Sequence, residues 1–463
     1  MNKKSLAGLM LLALLLGGQT SWGADPEVLG GDRVAGEEVK GTGDESTSPA
    51  VIGGAGNGSS QPVTQEDLEG VRTEIETLRE QWQRTYDRKT ANTTRPLLFS
   101  GIVQTRYIAT EDKAASTGAG GFDISAIILN FAGNLRRDYD EGKNVNYLFS
   151  LVTPSGLNDF TVKPLEASIS YSILPSLLLD QPYLSVIVGQ TKKPFGLEAL
   201  ATEDKKPTIR SAQATTLLGL DPRDIGVYLK GDLLPHVDYG FNYRVPLIEY
   251  SAGIFNGSGP NTFDNNTDKD IAARVILNAA VDYNSPWRGL SLGLSYYSGR
   301  QKVSLSTPAA GTTPAATYAT NGTKDRFGAD LSYVNTPVGF TLEYVRGNDV
   351  ALSGTATSPV KKIIESEGYT FTLFYNFGEQ FVKNYKAQDR YDDWYPLTYQ
   401  PFFRFDRFDP NIHNGGDRTD IYTLGFNWFF AETTKLQLNA NLKKEQTHEK
   451  ANNELLALFQ FGF

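Results

Sequence analysis

From Leu97 to Phe463 apolar and polar residues alternate with a period of two. In the stretch YTLGFNWFF, Tyr422, Leu424, Phe426, Trp428 and Phe430 fall on one face, and Thr423, Gly425 and Asn427 on the other. In KLQLNANLK, Leu436, Leu438, Ala440 and Leu442 oppose Gln437, Asn439 and Asn441. Successive side chains of a strand point to opposite faces of a sheet, so each stretch predicts a strand with one oily and one wet side. The pattern recurs where Phe99, Val103 and Tyr107 oppose Gln104 and Arg106, and where Ile271, Ala273, Val275, Leu277 and Ala279 oppose Arg274 and Asn278. It recurs again where Leu290, Leu292, Leu294 and Tyr296 oppose Ser291 and Ser295, and where Phe327, Ala329, Leu331 and Tyr333 oppose Arg326, Asp330 and Ser332. Phe403 and Phe405 oppose Arg404 and Asp406, and the chain closes on Leu455, Ala457, Phe459, Phe461 and Phe463 sharing one face.

Alternation alone fits two architectures: a sandwich whose apolar faces meet, or a barrel whose apolar faces meet lipid. The connectors separate them. Short ones (DYDEG, NSPWRG, NTPVG, AETT) alternate with long polar ones at Thr191–Arg223, Asn256–Asp270, Arg300–Lys324 and Asn348–Glu367. Short turns on one side and long loops on the other mark a transmembrane barrel, and an even count of about sixteen strands returns Phe463 to the side of the N-terminus. An open edge in hydrocarbon would strand its backbone donors, so the expected fold is all-β, a closed antiparallel barrel over residues 97–463. The last strand is then greasy because it faces lipid, with its rings at the membrane interface.

Before Leu97 the period changes. Leu68, Val71, Ile75, Leu78 and Trp82 recur at steps of three and four, the a/d seam of a coiled coil, and Thr64 with Asp67 resembles a capping box. A periplasmic coiled-coil helix is expected over residues 63–90; an amphipathic helix packed on the main domain is the other reading. Residues 24–62, rich in Gly, Ser, Thr and acids, are expected to be a flexible tether. Lys3-Lys4, the apolar run Leu6–Leu16 and Ser21-Trp22-Gly23 have the layout of a secretory signal peptide over residues 1–23, the run being shorter than a spanning helix needs.

Composition looks soluble, with charged residues at 21%, hydrophobic ones at 40% and a net charge of −9. The 23 Tyr, 25 Phe and 45 Gly behind an export signal point instead to β structure. There are no cysteines, which excludes disulfides, thiolate zinc and thiol catalysis. His236, His413 and His448 lie far apart and in no nucleophile or metal motif, so no enzyme, cofactor or metal site is expected. Asp264–Asp270 (DNNTDKD) has Lys269 where an EF-hand needs Gly and Val275 where it needs Glu, which rejects that motif. Its oxygen-rich residues read first as ordinary turn formers, a structural calcium in an irregular loop being the other reading. No nucleic-acid partner is expected.

Several stretches, in order along residues 97–463, resemble the phosphate-selective porin O and P family. They are VGQTKKPFGLEAL from Val188, LDPRDIGVYLKG from Leu220, YSAGIFNGSGPNTFDNNTDKDIAAR from Tyr250, FFRFDRFDP from Phe402, LGFNWFF from Leu424 and the closing FQFGF. The resemblance implies a trimeric outer-membrane barrel in contact with lipid that passes small hydrophilic solutes, anions such as phosphate among them. It also implies that Phe463 forms part of the signal read by the barrel assembly machinery. Selectivity in a channel comes from fixed charges at its narrowest point. If the third long loop folds inward, as porin third loops commonly do, Lys192, Lys193, Lys205, Lys206, Arg210 and Arg223 make a basic constriction, against Glu198, Glu203, Asp204 and Asp221. Arg210 and Arg223 rank first, since a guanidinium can bind an oxyanion in a bidentate way. The wet faces of the strands place Arg106, Lys230, Arg244, Arg274, Arg326 and Arg404 toward the lumen, with Asp330, Glu343 and Asp406 among them. The competing function is a non-transporting barrel that serves as an envelope anchor or adhesin.

Overall fold

The structure is a computed structural model. It describes residues 71–79 except 74, and residues 97–463 except 112–119, 139–140, 154–160, 177–180, 242, 309–314, 336, 379–397, 431–433 and 448–451. The expected signal peptide, the tether and most of the expected coiled-coil helix lie outside the described residues. The chain divides into two units, residues 24–95 and the rest. In the smaller unit, residues 71–73 and 75–79 are helical, and Val71, Ile75 and Leu78 of the apolar seam are exposed.

The larger unit is built of β1 (Leu97–Thr110), β2 (Gly120–Arg136), β3 (Val145–Thr153), β4 (Lys163–Leu174), β5 (Leu184–Thr191) and β6 (Asp224–Asp238). There follow β7 (Tyr243–Phe255), β8 (Asp270–Asn278), β9 (Leu290–Thr307), β10 (Ala316–Val334), β11 (Val338–Thr355) and β12 (Ser358–Tyr375). The two-residue β13 (Phe377–Gly378) continues β12 along β14 (Thr398–Asp409), and β15 (Thr419–Phe429), β16 (Lys435–Glu445) and β17 (Glu454–Gly462) complete the wall. Successive strands pair antiparallel around the wall, β12 and β13 both with β14, and β1 pairs with β17, so the sheet closes as a barrel of 16 crossings. The seam is fastened by Gly101 N to Phe463 O at 2.9 Å and Phe463 N to Gly101 O at 3.0 Å. Inside it, Gln104 Nε2 donates to Gln460 Oε1 at 2.9 Å.

The two-residue period is visible in β14, where Arg404, Asp406 and Phe408 are buried inward while their alternate neighbours face out. In β17, Leu456, Leu458 and Gln460 are buried and Phe459, Phe461 and Phe463 are exposed. The same outward band holds Phe99, Tyr107, Ile271, Val275, Leu294, Tyr296, Phe327, Leu342, Leu373, Leu424 and Leu442. An apolar surface this continuous would be costly in water, and hydrocarbon is its solvent.

Two expected loops are corrected. Residues 300–324 and 348–367 are largely strand: β9 and β10 stay paired from Leu290 to Ala316, and β11 and β12 from Val338 to Ser358. These hairpins of 18 and 19 residues per strand exceed the ~9–11 residues that cross a bilayer, so they project beyond it. Their polar residues on both faces read as loop because both faces there meet water.

Candidate functional site

Residues 192–223, between β5 and β6, fold into the barrel and lie against its inner wall. The physical cause is a set of inward positions that break the wet-face rule. Phe255 on β7, Ala272 on β8, Tyr297 on β9, Val345 on β11 and Phe408 on β14 point inward, and with Phe195, Ala199, Ala214, Leu218 and Leu220 of the loop they form a buried apolar core. Phe195 is 1% exposed. Two glycines permit the approach. Gly196 has φ +70, and a Cβ there would sit 2.5 Å from Glu343 Oε1; on β12, a Cβ at Gly368 would sit 2.5 Å from Ala214 Cβ. Ala214 belongs to the loop's one helix, Gln213–Leu217.

Polar contacts fix the loop along its length. Glu343 accepts from Leu197 N at 2.8 Å and Glu198 N at 3.2 Å, and Gly196 N donates to Ser295 Oγ at 3.1 Å. Arg404 donates to both carboxylate oxygens of Glu198 at 3.2 and 2.7 Å, to Thr208 Oγ1 at 2.6 Å and to Arg210 O at 3.2 Å. Glu198 also accepts from Ala212 N, and Asp406 accepts from Gln213 N, both at 2.9 Å. Lys435 on β16 donates to Asp204 O at 2.6 Å and Lys206 O at 3.0 Å, while Gln437 and Asn427 donate to Pro207 O. A buried charge is tolerable only when paired or hydrogen-bonded, and these groups engage one another, Asp406 through Oδ2 while its Oδ1 has no hydrogen-bond partner.

The sequence-derived cations fall into two groups. Most are engaged. Lys192 donates to Ala199 O and Ala201 O and lies 3.4 Å from Asp221. Lys193 is buried, donates to Gly219 O at 3.3 Å, and burial pushes its amine down to about 8. Lys206 lies 3.2 Å from Glu203, and Arg210 and Arg223 sit 3.0 Å from Glu454 and 3.1 Å from Glu166. On the wall, Arg106 pairs with Asp123, Arg244 with Asp232, Arg274 with Asp330 and Arg326 with Asp349, at 2.5 to 2.9 Å. Arg326 also reaches Leu218 O at 3.4 Å. Lys205 on the loop and Lys230 on β6 are exposed and carry no side-chain partner among the described residues. Arg274, Arg326 and Arg404 are thus anchors of wall and loop, not open anion contacts.

Sequence reasoning did not find Glu343, Lys435, Gln437, Asn427 and Thr208 as holders of the loop. The legible signal was the apolar residue at an inward position, as at Val345 between Glu343 and Gly347. Among the described residues no group of three or more His, Asp or Glu is placed to hold a metal. Asp264 pairs with Lys269, and Asp268 accepts from Asn321. His236 lies 2.7 Å from Asp282 and His413 3.5 Å from Glu365; His448 is outside the described residues.

A closed antiparallel barrel with an apolar outer band and a loop folded into its lumen is the build of a porin of the bacterial outer membrane. Comparison with known proteins agrees. Residues 373–461 match the family model described as phosphate-selective porin O and P, the family that the sequence resembles. Among solved structures, the trimer form of in-vitro folded OmpT, an outer membrane protein of Vibrio cholerae, superposes with a TM-score of 0.53 at 8% identity, over 80% of this chain and 99% of that one. An anion-selective porin from Comamonas acidovorans gives a TM-score of 0.50 at 12% identity, over 80% of this chain and 100% of the other. At these identities the likeness is one of fold. No curated protein matches significantly.

Proposed function

We propose that this porin is a non-enzymatic diffusion channel for small hydrophilic solutes, with a mild preference for anions, and that it works as a homotrimer. The observation that carries the reading is the inward loop, pinned to strands from β7 to β17, which narrows the lumen without a moving part. Low-dielectric walls focus the field of whatever charge remains free there, and Lys205 and Lys230 are the sequence-derived cations without a side-chain partner among the described residues. The exposed seam of Val71, Ile75 and Leu78 supports self-association through the N-terminal helix. Phe463, fastened to Gly101 at the seam, is suited to be part of the signal read by the assembly machinery.

Purified protein in a planar bilayer is expected to give discrete conductance steps, and a salt gradient a reversal potential of anion sign. An envelope anchor or adhesin with a plugged lumen gives no steps.

A further inference from the structure

We infer that the outer wall across β5–β8, with the loop that lies over it, is the face on which a second copy of this chain docks, and that Phe263 is the side chain that enters the contact. The inference rests on the homotrimer proposed above and names the surface that forms it. Residues 256–269, between β7 and β8, fold over the outside of the barrel. Val188 on β5 points outward and is 50% exposed, yet Gln190, two residues on and on the same face, is buried. Asn261 covers it. Its N donates to Gln190 Oε1 at 2.7 Å and its Nδ2 to Pro164 O at 2.8 Å, while Gln190 Nε2 donates to Pro164 O and Leu165 O, both at 3.1 Å. The loop therefore reaches from β7 across the outer wall to β4. Both flanks of Phe263 are tied, since Thr262 Oγ1 donates to Ser258 O at 2.9 Å and Asn265 N to Ser258 Oγ at 3.2 Å. The ring held between them is 97% exposed.

Beside the loop, Ile169, Val188, Val227, Ile254 and Ile271 make one cross-strand row over β4–β8, all of them exposed. The outward residues at the loop ends of β5–β8 include no ring and no charge. The far side of the barrel differs. At the loop ends of β12, β14, β15 and β16 the outward row runs Tyr369, Arg407, Asp420 and Lys444, next to Phe371, Phe405, Tyr422 and Leu442. Phenols and long cations collect where a wall meets lipid headgroups, so the far side faces lipid at that level. A sector bare of them, flat and aliphatic, suits protein. Its area is sufficient: the row with Leu229 and Val275 at roughly 80 Å² a residue, and Phe263 at about 200 Å², approach the ~800 Å² per partner of a stable interface. In a ring of three, each contact joins two different patches, so this face of one copy meets another stretch of its neighbour's outer wall.

The chain has no cysteine, so single cysteines report one position each. Full-length protein carrying Val227→Cys, Phe263→Cys or Leu373→Cys is labelled with a fluorophore and reconstituted into vesicles of brominated phospholipid, which quenches what touches acyl chains. Leu373, exposed on β12, is expected to be quenched strongly, and positions 227 and 263 several-fold less. Phe263→Ser is expected to lower the temperature at which the trimer falls to monomers in detergent gels, and Leu373→Ser to leave it unchanged; faster migration of unheated than of boiled monomer shows that the barrel is intact. Quenching at Val227 or Phe263 as strong as at Leu373 assigns the face to lipid and overturns the inference, as does an unchanged trimer temperature for Phe263→Ser. A label at Val227 that breaks the trimer, where one at Leu373 does not, supports it. Wild type that sediments as a monomer sinks the homotrimer and this inference together, and conductance steps test the channel separately.

Discussion

Residues 192–223 and the paired tips of β9–β12 look alike as sequence: both are long, polar stretches between strands. The first enters the barrel and the second stands away from the membrane. The difference lies in where each finds partners. The tips satisfy their backbone groups locally, as Ser304 faces Ala319 and Leu352 faces Lys361 across continuous ladders. The inward loop has little ladder of its own and depends on side chains of the opposite wall, Glu343, Arg404, Asp406 and Lys435. A polar connector is therefore placed by its few apolar residues and by the wall they meet, more than by its length.

The largest test of that contrast is Arg404→Ala. It leaves the half-buried Glu198 without its ion-pair partner and removes the contacts to Thr208 Oγ1 and Arg210 O, so it is expected to cost about 3–5 kcal/mol. The measurement is the temperature at which the compact form in detergent gels is lost, and a transition at the wild-type temperature would count against the loop being held from the wall. Glu343→Gln comes next, with a loss of about 1–3 kcal/mol, since an amide has one acceptor oxygen for the two loop amides, Leu197 N and Glu198 N. Denaturant titration of tryptophan emission would read it.

Lys193 gives a smaller, pH-dependent effect. Its amine titrates at about 8 in the folded chain against 10.5 when free, because burial disfavours the charged form. The unfolded chain therefore binds more protons between those values, so stability rises as pH climbs from about 8 to 10.5 and this contribution is flat below the folded value. Lys193→Met should lack that increment, and equal slopes for variant and wild type over the window would refute the assignment. Smallest of all, replacing Leu352–Lys361 by a two-residue turn should shift barrel stability by less than about 0.5 kcal/mol, because both faces of the tip are solvated. A large drop in the unfolding temperature would show that the tips are part of the load on the wall.

The barrel itself was legible in the sequence because its code is local: residues two apart share a face, and Tyr422 through Phe430 or Leu436 through Leu442 reveal that face without reference to any other strand. The sign of each lumen charge was legible too. What each charge does was not. Arg274 meets Asp330 across 56 residues and Arg404 meets Glu198 across 206, and neither pairing leaves a trace in the spacing near either residue. An arginine on a wet face looks the same on paper whether it is free or clasped. The apolar exceptions, Phe255, Tyr297, Val345 and Phe408, were the nearest thing to a written sign that something would cover that wall.

The meeting of β1 and β17 has its own consequence for how the molecule is made. Gln104 and Gln460 touch across 356 residues, and drawing such distant points together costs about 5 kcal/mol of chain freedom, with nothing gained from that contact until it forms. Neighbouring hairpins can assemble one by one; the last stitch waits for the whole garment. Until Phe463 reaches Gly101 the wall has two raw edges, and the bilayer is no place to wear them.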